Sequence, residues 1–131
     1  MYARDLTCQT LGIVLDEVAP GRASMHMVVA GNMVNGHGIT HGGYIFLLAD
    51  AAFAYACNSY GPVTVAQSAQ VAFLRPSRAG DRLSAQAVER TRHGLYGIYD
   101  VTVCRDDGVV IAEFRGHSIM LSRGLPTVDE A

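Results

Sequence analysis

The stretch NGHGITHGGYIFLLADAAFAYACNS, residues 35–59, decides how this 131-residue chain is read. Its first part, Asn35 to Gly43, is polar, broken by glycines, and holds His37 and His41. From Tyr44 to Cys57 the chain becomes an almost unbroken run of Ala, Leu, Phe, Ile and Tyr, residues that favour helix or core. One charge, Asp50, interrupts the run. On a helix, at about 100° per residue, Asp50 shares its face with Phe46, Leu47, Phe53, Ala54 and Cys57. The opposite face carries Leu48, Ala52 and Tyr55, so no side is left for water and the helix is expected to be buried. Its carboxylate is then either satisfied inside the protein or held for chemistry.

Outward from this helix, the chain reads as strands. Leu11 to Val18 and Arg22 to Ala30 flank the turn signal Ala19-Pro20-Gly21. In the second of these, Ala23, Met25, Met27 and Val29 alternate with Ser24, His26 and Val28, the period of a half-buried strand. Beyond the helix come Val63 to Leu74, Arg82 to Arg92, Leu95 to Arg105 and Val109 to Leu121, the last introduced by an Asp107-Gly108 hairpin signal. A short helical lead precedes the first strand, and the tail from Arg123 reads as frayed. Short turns between consecutive strands predict an antiparallel sheet. A single sheet must curl around a helix that is apolar on several sides, and the uncovered remainder calls for a partner subunit.

Composition removes several classes of function. With 50% hydrophobic and 17% charged residues, the chain is a folded domain rather than a disordered one. A net charge of −2 and no stripe of Lys and Arg with aromatics argue against nucleic acid. Cys8, Cys57 and Cys104 are too far apart for a Cys-x-x-Cys site and odd in number, which fits a reduced, cytoplasmic protein. No leader pattern opens the sequence, and the helix is short of the ~20 residues a membrane span needs, so no membrane partner is expected. The whole of 1–131 is expected to form one domain.

The blocks Asn35-Gly36-His37-Gly38, His41-Gly42-Gly43 and Leu48-Ala49-Asp50, followed by AAFAYACNS over 51–59, closely resemble the hotdog-fold acyl-CoA thioesterases of the phenylacetate-degradation type. Ala72-Phe73-Leu74-Arg75-Pro76 and Gly80-Asp81-Arg82-Leu83 extend the similarity, which covers about residues 10–122. The resemblance implies an α+β hotdog fold, a curved antiparallel sheet wrapped around one long central helix. It also implies homodimers, usually paired into homotetramers, and hydrolysis of coenzyme A thioesters with no metal or other cofactor, coenzyme A being part of the substrate.

Residue by residue, Asp50 is the candidate general base or nucleophile, since an unpaired buried carboxylate is expensive and no Arg or Lys lies within a turn or two of it. Gly42 and Gly43 open the helix, where free N–H groups and the helix dipole suit a developing oxyanion; the resemblance points to the Gly42 N–H. Glycine there also lets substrate approach the backbone closely. By the same resemblance Asn35 positions water or thioester, His41 supports the carbonyl pocket and Ser68 helps orient the water. His37 and His41 stand four apart, yet Gly36 and Gly38 disfavour a helix between them and no third ligand is evident, so no metal is expected.

Asp50 lies eight residues beyond Gly42, roughly 12 Å along a helix axis at ~1.5 Å per residue. A reacting carbonyl must sit ~3 Å from both oxyanion donor and attacking group. One helix cannot supply both; two helices related by a two-fold axis can. Among Arg75, Arg78, Arg90, Arg92 and Arg115, one or two are candidates for the phosphates of coenzyme A, Arg75 with its neighbour Pro76 first. Tyr44, Phe46, Phe53 and Tyr55 are candidates for the wall of an aromatic or medium-chain acyl pocket, and equally for core. Two other readings stand beside hydrolysis. One is a hydratase or dehydratase of enoyl thioesters on the same fold, which usually carries a helix His absent from 44–59. The other is a non-catalytic acyl-CoA binder.

Overall fold

The computed structural model describes residues 1–121; the tail from Arg123 lies outside them. A 3₁₀ turn, Tyr2–Arg4, leads into the short helix α1, Leu6–Leu11, and then into strands β1, Val14–Ala19, and β2, Arg22–Val28. The long helix α2 runs from Gly42 to Cys57. Four strands follow: β3, Thr64–Phe73; β4, Arg82–His93; β5, Tyr96–Arg105; and β6, Val110–Met120. Each falls within a few residues of its sequence expectation; α2 begins two residues early because both glycines join its first turn.

The six strands form one antiparallel sheet in the order β1-β2-β4-β5-β6-β3. Chain order and sheet order disagree at β3, which follows α2 yet pairs with β6 at the far edge. The helix therefore crosses the sheet's inner face and is wrapped by it. Small side chains at every second place of β2 and β4, Ala23, Ala85 and Ala87, let α2 approach closely, and Met25, Met27, Leu83, Val101 and Val103 fill the layer between. On the helix, Leu48, Ala49, Ala52 and Ala56 are fully buried against this face.

Two polar clips tie the helix ends to the sheet. At the C-terminus, Asn58 Nδ2 donates to the carbonyls of Ala54 and Thr64, and its Oδ1 accepts from the Thr64 N–H, joining α2 to β3. Ser59 Oγ donates to the Ala56 carbonyl and accepts from the Gly21 N–H, fixing the β1–β2 turn beside it. Gly21 has φ +73° and lies close under Tyr60 and Glu89, so both its conformation and the space favour glycine. At the other end, the loop before α2 is held by the His41 N–H on the Met33 carbonyl at 2.7 Å and the Thr40 N–H on the Ser77 carbonyl at 2.8 Å.

Candidate active site

Helix α2 is apolar almost throughout, but its own sheet does not cover all of it. Gly43, Leu47, Asp50 and Ala54, spaced four, three and four residues apart, form a stripe that stays partly open. Asp50 lies mid-way along this stripe, half-buried, in a groove of about 610 Å³ whose apolar wall includes Phe53, Ala54, Cys57, Val63, Val65 and Ala66. Among the described residues no hydrogen bond or ion pair reaches its carboxylate. Burial accordingly pushes the Asp50 carboxyl above its ordinary value. Burial thereby makes this carboxylate a stronger proton acceptor than a surface aspartate.

The first turn of α2 opens onto a different groove, of about 400 Å³, which brings together Asn35, Thr40, Gly42, Phe73, Arg75 and Pro76. His41 is the N-cap and its side chain makes no capping hydrogen bond. The Tyr44 N–H turns back to the His41 carbonyl at 3.0 Å. The Gly42 and Gly43 N–H groups have no acceptor among the described residues, so the positive end of the helix is unsatisfied. A Cβ on Gly42 would meet the Phe73 ring at 3.0 Å, so an unbranched backbone is what allows this aromatic to lie over the turn.

The remaining candidates separate clearly. Asn35 spends its side-chain oxygen on the loop, accepting from the N–H groups of His37 at 2.9 Å and Ile39 at 3.4 Å. This turns its Nδ2 into the free donor of the pair. His41 is exposed, with Nδ1 near Gly43. Arg75 lines the loop groove and donates to the Val110 carbonyl at 2.7 Å. Pro76 lines the same groove, its carbonyl accepting from Arg105 at 2.9 Å. Of the other candidate arginines named from the sequence, Arg115 and Arg90 are engaged by Asp100 and Arg92 lies 3.6 Å over the Tyr60 ring, which leaves Arg75 and Arg78 of that set for a ligand.

Two further candidates lie in contrasting places. Ser68 is exposed and is not among the residues of its own protomer that line the Asp50 groove. Gly116 and Phe114 of β6 face the helix, since their positions meet the rings of Phe53 and Phe46, so His117 between Gly116 and Ser118 faces outward. Ser68 pairs with His117 just past a bulge between Ala66 and Ser68 that shifts the register, while Val65 and Ala66 line the Asp50 groove. Phe53, 1% exposed, belongs to the core, packed on Tyr99, Phe114 and Gly116, and forms only the floor of the groove.

One positioning pair was invisible in the sequence. Ser77, 1% exposed, donates through Oγ to Thr40 Oγ1 at 2.7 Å, and both are buried. It clamps the Arg75-Pro76 loop to the turn two residues ahead of Gly42. Nothing in the local pattern around Ser77 signals it, because the partners are 37 residues apart. No cluster of three His, Cys, Asp or Glu among the described residues is placed to hold a metal ion, and no helix among them is long and apolar enough to cross a membrane.

Comparison with known proteins agrees with this architecture. The thioesterase superfamily model matches residues 37–112. The acyl-coenzyme A thioesterase PaaI of Escherichia coli is 43% identical over 118 residues, which span 90% of this chain and 84% of that protein. The solved structure of the E. coli PaaI protein from the phenylacetic acid degradation operon superposes with a TM-score of 0.92 at 42% identity, covering 93% of this chain and 88% of that one. The TT0310 protein of Thermus thermophilus superposes with a TM-score of 0.86 at 38% identity, covering 90% of this chain and 99% of that one. A free glycine turn at the head of a wrapped helix and a lone carboxylate at its middle are thus set in a fold whose relatives cleave thioesters, and the chain belongs to the thioesterase superfamily as a hotdog-fold enzyme.

Proposed function

We propose that this protein hydrolyses acyl-coenzyme A thioesters in a site shared by two protomers. The observation that carries this is the division of the chemistry over one helix: Asp50 lines one groove and the free Gly42 N–H another, and no residue lines both. At roughly 12 Å of helix between them, a carbonyl polarised by Gly42 of one protomer meets Asp50 of a second. Asp50 takes a proton from water as the water oxygen attacks the thioester carbon, or attacks directly to form a mixed anhydride that water then opens. The Gly42 N–H and the helix N-terminus stabilise the negative oxygen of the tetrahedral intermediate. Asn35 Nδ2 and His41 stand on the same loop, ready to hold the carbonyl or the water. The thiolate leaves without much acid assistance, and the products are free acid and coenzyme A.

A second copy is favoured by two surfaces. The open stripe of α2 has one apolar face to cover, and β3 offers a free edge of ten residues, TVAQSAQVAF, with no charge and no proline to protect it. Exposed Phe73 and Leu74 continue that edge to the loop groove. The acyl group, aromatic such as phenylacetyl or hydroxyphenylacetyl, or medium-chain, enters the apolar groove beside Asp50, while Arg75 and Arg78 meet the phosphates from the Gly42 side. The test is release of free thiol from phenylacetyl, hydroxyphenylacetyl, benzoyl and straight-chain thioesters, with molecular mass measured by light scattering in the same solution. Turnover by a dimer or larger assembly is expected; an active compact monomer would refute the shared site.

A further inference from the structure

The groove beside Asp50 has a second wall that the reaction itself does not require. Besides Asp50, one charged side chain among the described residues lines it, Arg4, from the 3₁₀ turn at the head of the chain. The groove's other polar side chains are committed elsewhere: Asn58 and Thr64 bond one another, and Thr64 Oγ1 donates to the Pro62 carbonyl. Among the described residues Arg4 has no acid or carbonyl partner for its guanidinium. The Arg4 side chain is exposed, so water solvates its donor fork in the free protein, and a ligand acceptor reaching this wall replaces that water with a charge-assisted bond.

The turn carrying Arg4 is tied down, although chain ends ordinarily fray. Tyr2 Oη donates to the Ile13 carbonyl at 2.7 Å, and Gln9 Nε2 donates to the carbonyls of Tyr2 and Ala3 at 2.9 and 3.0 Å. Asp5 caps α1 through the Cys8 N–H and accepts from Tyr55 Oη at 2.9 Å, and the Tyr2 and Tyr55 rings lie 6.2 Å apart. Tyr55 belongs to α2, five residues beyond Asp50. The backbone of Arg4 is thereby referenced to the same helix that carries the carboxylate, so the two charged walls of the groove keep their separation.

We propose that Arg4 is a specificity-determining residue of the acyl subsite, and that the subsite favours acyl groups ending in an oxygen acceptor, a carboxylate foremost, over hydrocarbon groups of equal length. This rests on the thioesterase reading above. A carboxylate accepts two N–H bonds from the guanidinium, a neutral hydroxyl accepts one, and a methyl offers the cation nothing in exchange for its water.

The experiment uses three thioesters of one chain length: adipyl-CoA, 6-hydroxyhexanoyl-CoA and hexanoyl-CoA. The readout is the ratio of kcat/KM for each oxygen-tailed substrate to that for hexanoyl-CoA, in wild type, Arg4→Met and Arg4→Lys, with thermal melts confirming that each variant is folded. An ion pair at an exposed guanidinium predicts that the adipyl ratio falls about threefold in Arg4→Met. A smaller fall is expected in Arg4→Lys. A fall confined to the hydroxyl arm, with the adipyl ratio unchanged, overturns the preference for a carboxylate tail. Ratios unchanged in both arms overturn the proposal. Should wild type release thiol from none of the thioesters, the hydrolase reading fails, and the same ratios, taken from dissociation constants by calorimetry, still decide the role of Arg4.

Discussion

The two working stations of helix α2 differ in almost every physical respect. Its first turn is polar, exposed and backbone-based: the groups on offer are N–H donors of Gly42 and Gly43, and their placement depends on a loop clamped by Thr40 and Ser77. Its middle is apolar, half-buried and side-chain-based: the group on offer is one carboxylate whose proton affinity is raised by burial. A donor of partial positive charge gains from an unsatisfied helix end, whereas a base gains from being kept away from water and cations. The two requirements conflict at any single position. A helix that separates them by two turns satisfies both, and in the proposed mechanism a second copy brings them together.

The largest expected effect comes from removing the base. Asp50→Ala and Asp50→Asn should lower kcat by about 10²–10⁴-fold, the usual range for a positioned acid–base group, while acyl-CoA binding measured by calorimetry changes little. Turnover retained near wild type in the Asn variant would assign the base elsewhere.

Gly42→Pro, which deletes the donor, should cost ~10²–10³ in kcat, once circular dichroism establishes that the variant folds. The two defects also provide the sharpest contrast between the stations. When Asp50→Ala and Gly42→Pro subunits are exchanged, each heterodimer has one site with both defects and one with neither. Random pairing makes about half the dimers heterodimers, so activity should return to roughly a quarter of wild type. Differently tagged subunits that have exchanged and remain inactive would show that the stations do not meet across an interface.

A smaller effect is expected from the clamp. Ser77→Ala leaves the buried Thr40 hydroxyl without its donor and should lower unfolding stability by about 1–3 kcal/mol. Because the clamp serves the first turn alone, kcat should fall while the acid limb of the pH–rate profile, set by Asp50, stays where it is in wild type.

The smallest effect is thermodynamic and belongs to the middle of the helix. Burial raises the folded-state pKa of Asp50 above its ordinary 3.8, so the native protein binds the proton more tightly than the unfolded chain. Stability therefore falls as pH rises from the unfolded value through the raised folded value, and stays reduced above it. Asp50→Asn should melt above wild type at neutral pH, and the advantage should vanish below about pH 4. In turnover the same shift moves the acid limb of the wild-type profile above the ordinary aspartate range. An Asn variant with no gain at neutral pH would mean that a partner group already compensates the carboxylate in the assembly.

The amino-acid sequence by itself determined the helix, the strands and the two candidate stations. Hydrophobic runs and alternation are local properties, and a lone charge in an apolar helix or a pair of glycines at its head is visible without coordinates. The fold and the spacing of Gly42 from Asp50 follow from that local information. Only the tertiary structure decided which residues reach the stations. Ser68 pairs with His117 just past a one-residue bulge in β3, and sequence periodicity does not reveal where a bulge falls. Phe53 is core because Gly116 on a distant strand leaves room for its ring. Ser77 and Arg4 matter through partners or walls far from them in the chain. Such contacts depend on register and crossing geometry, which are set by the packing of the whole sheet around α2 and not by any one segment.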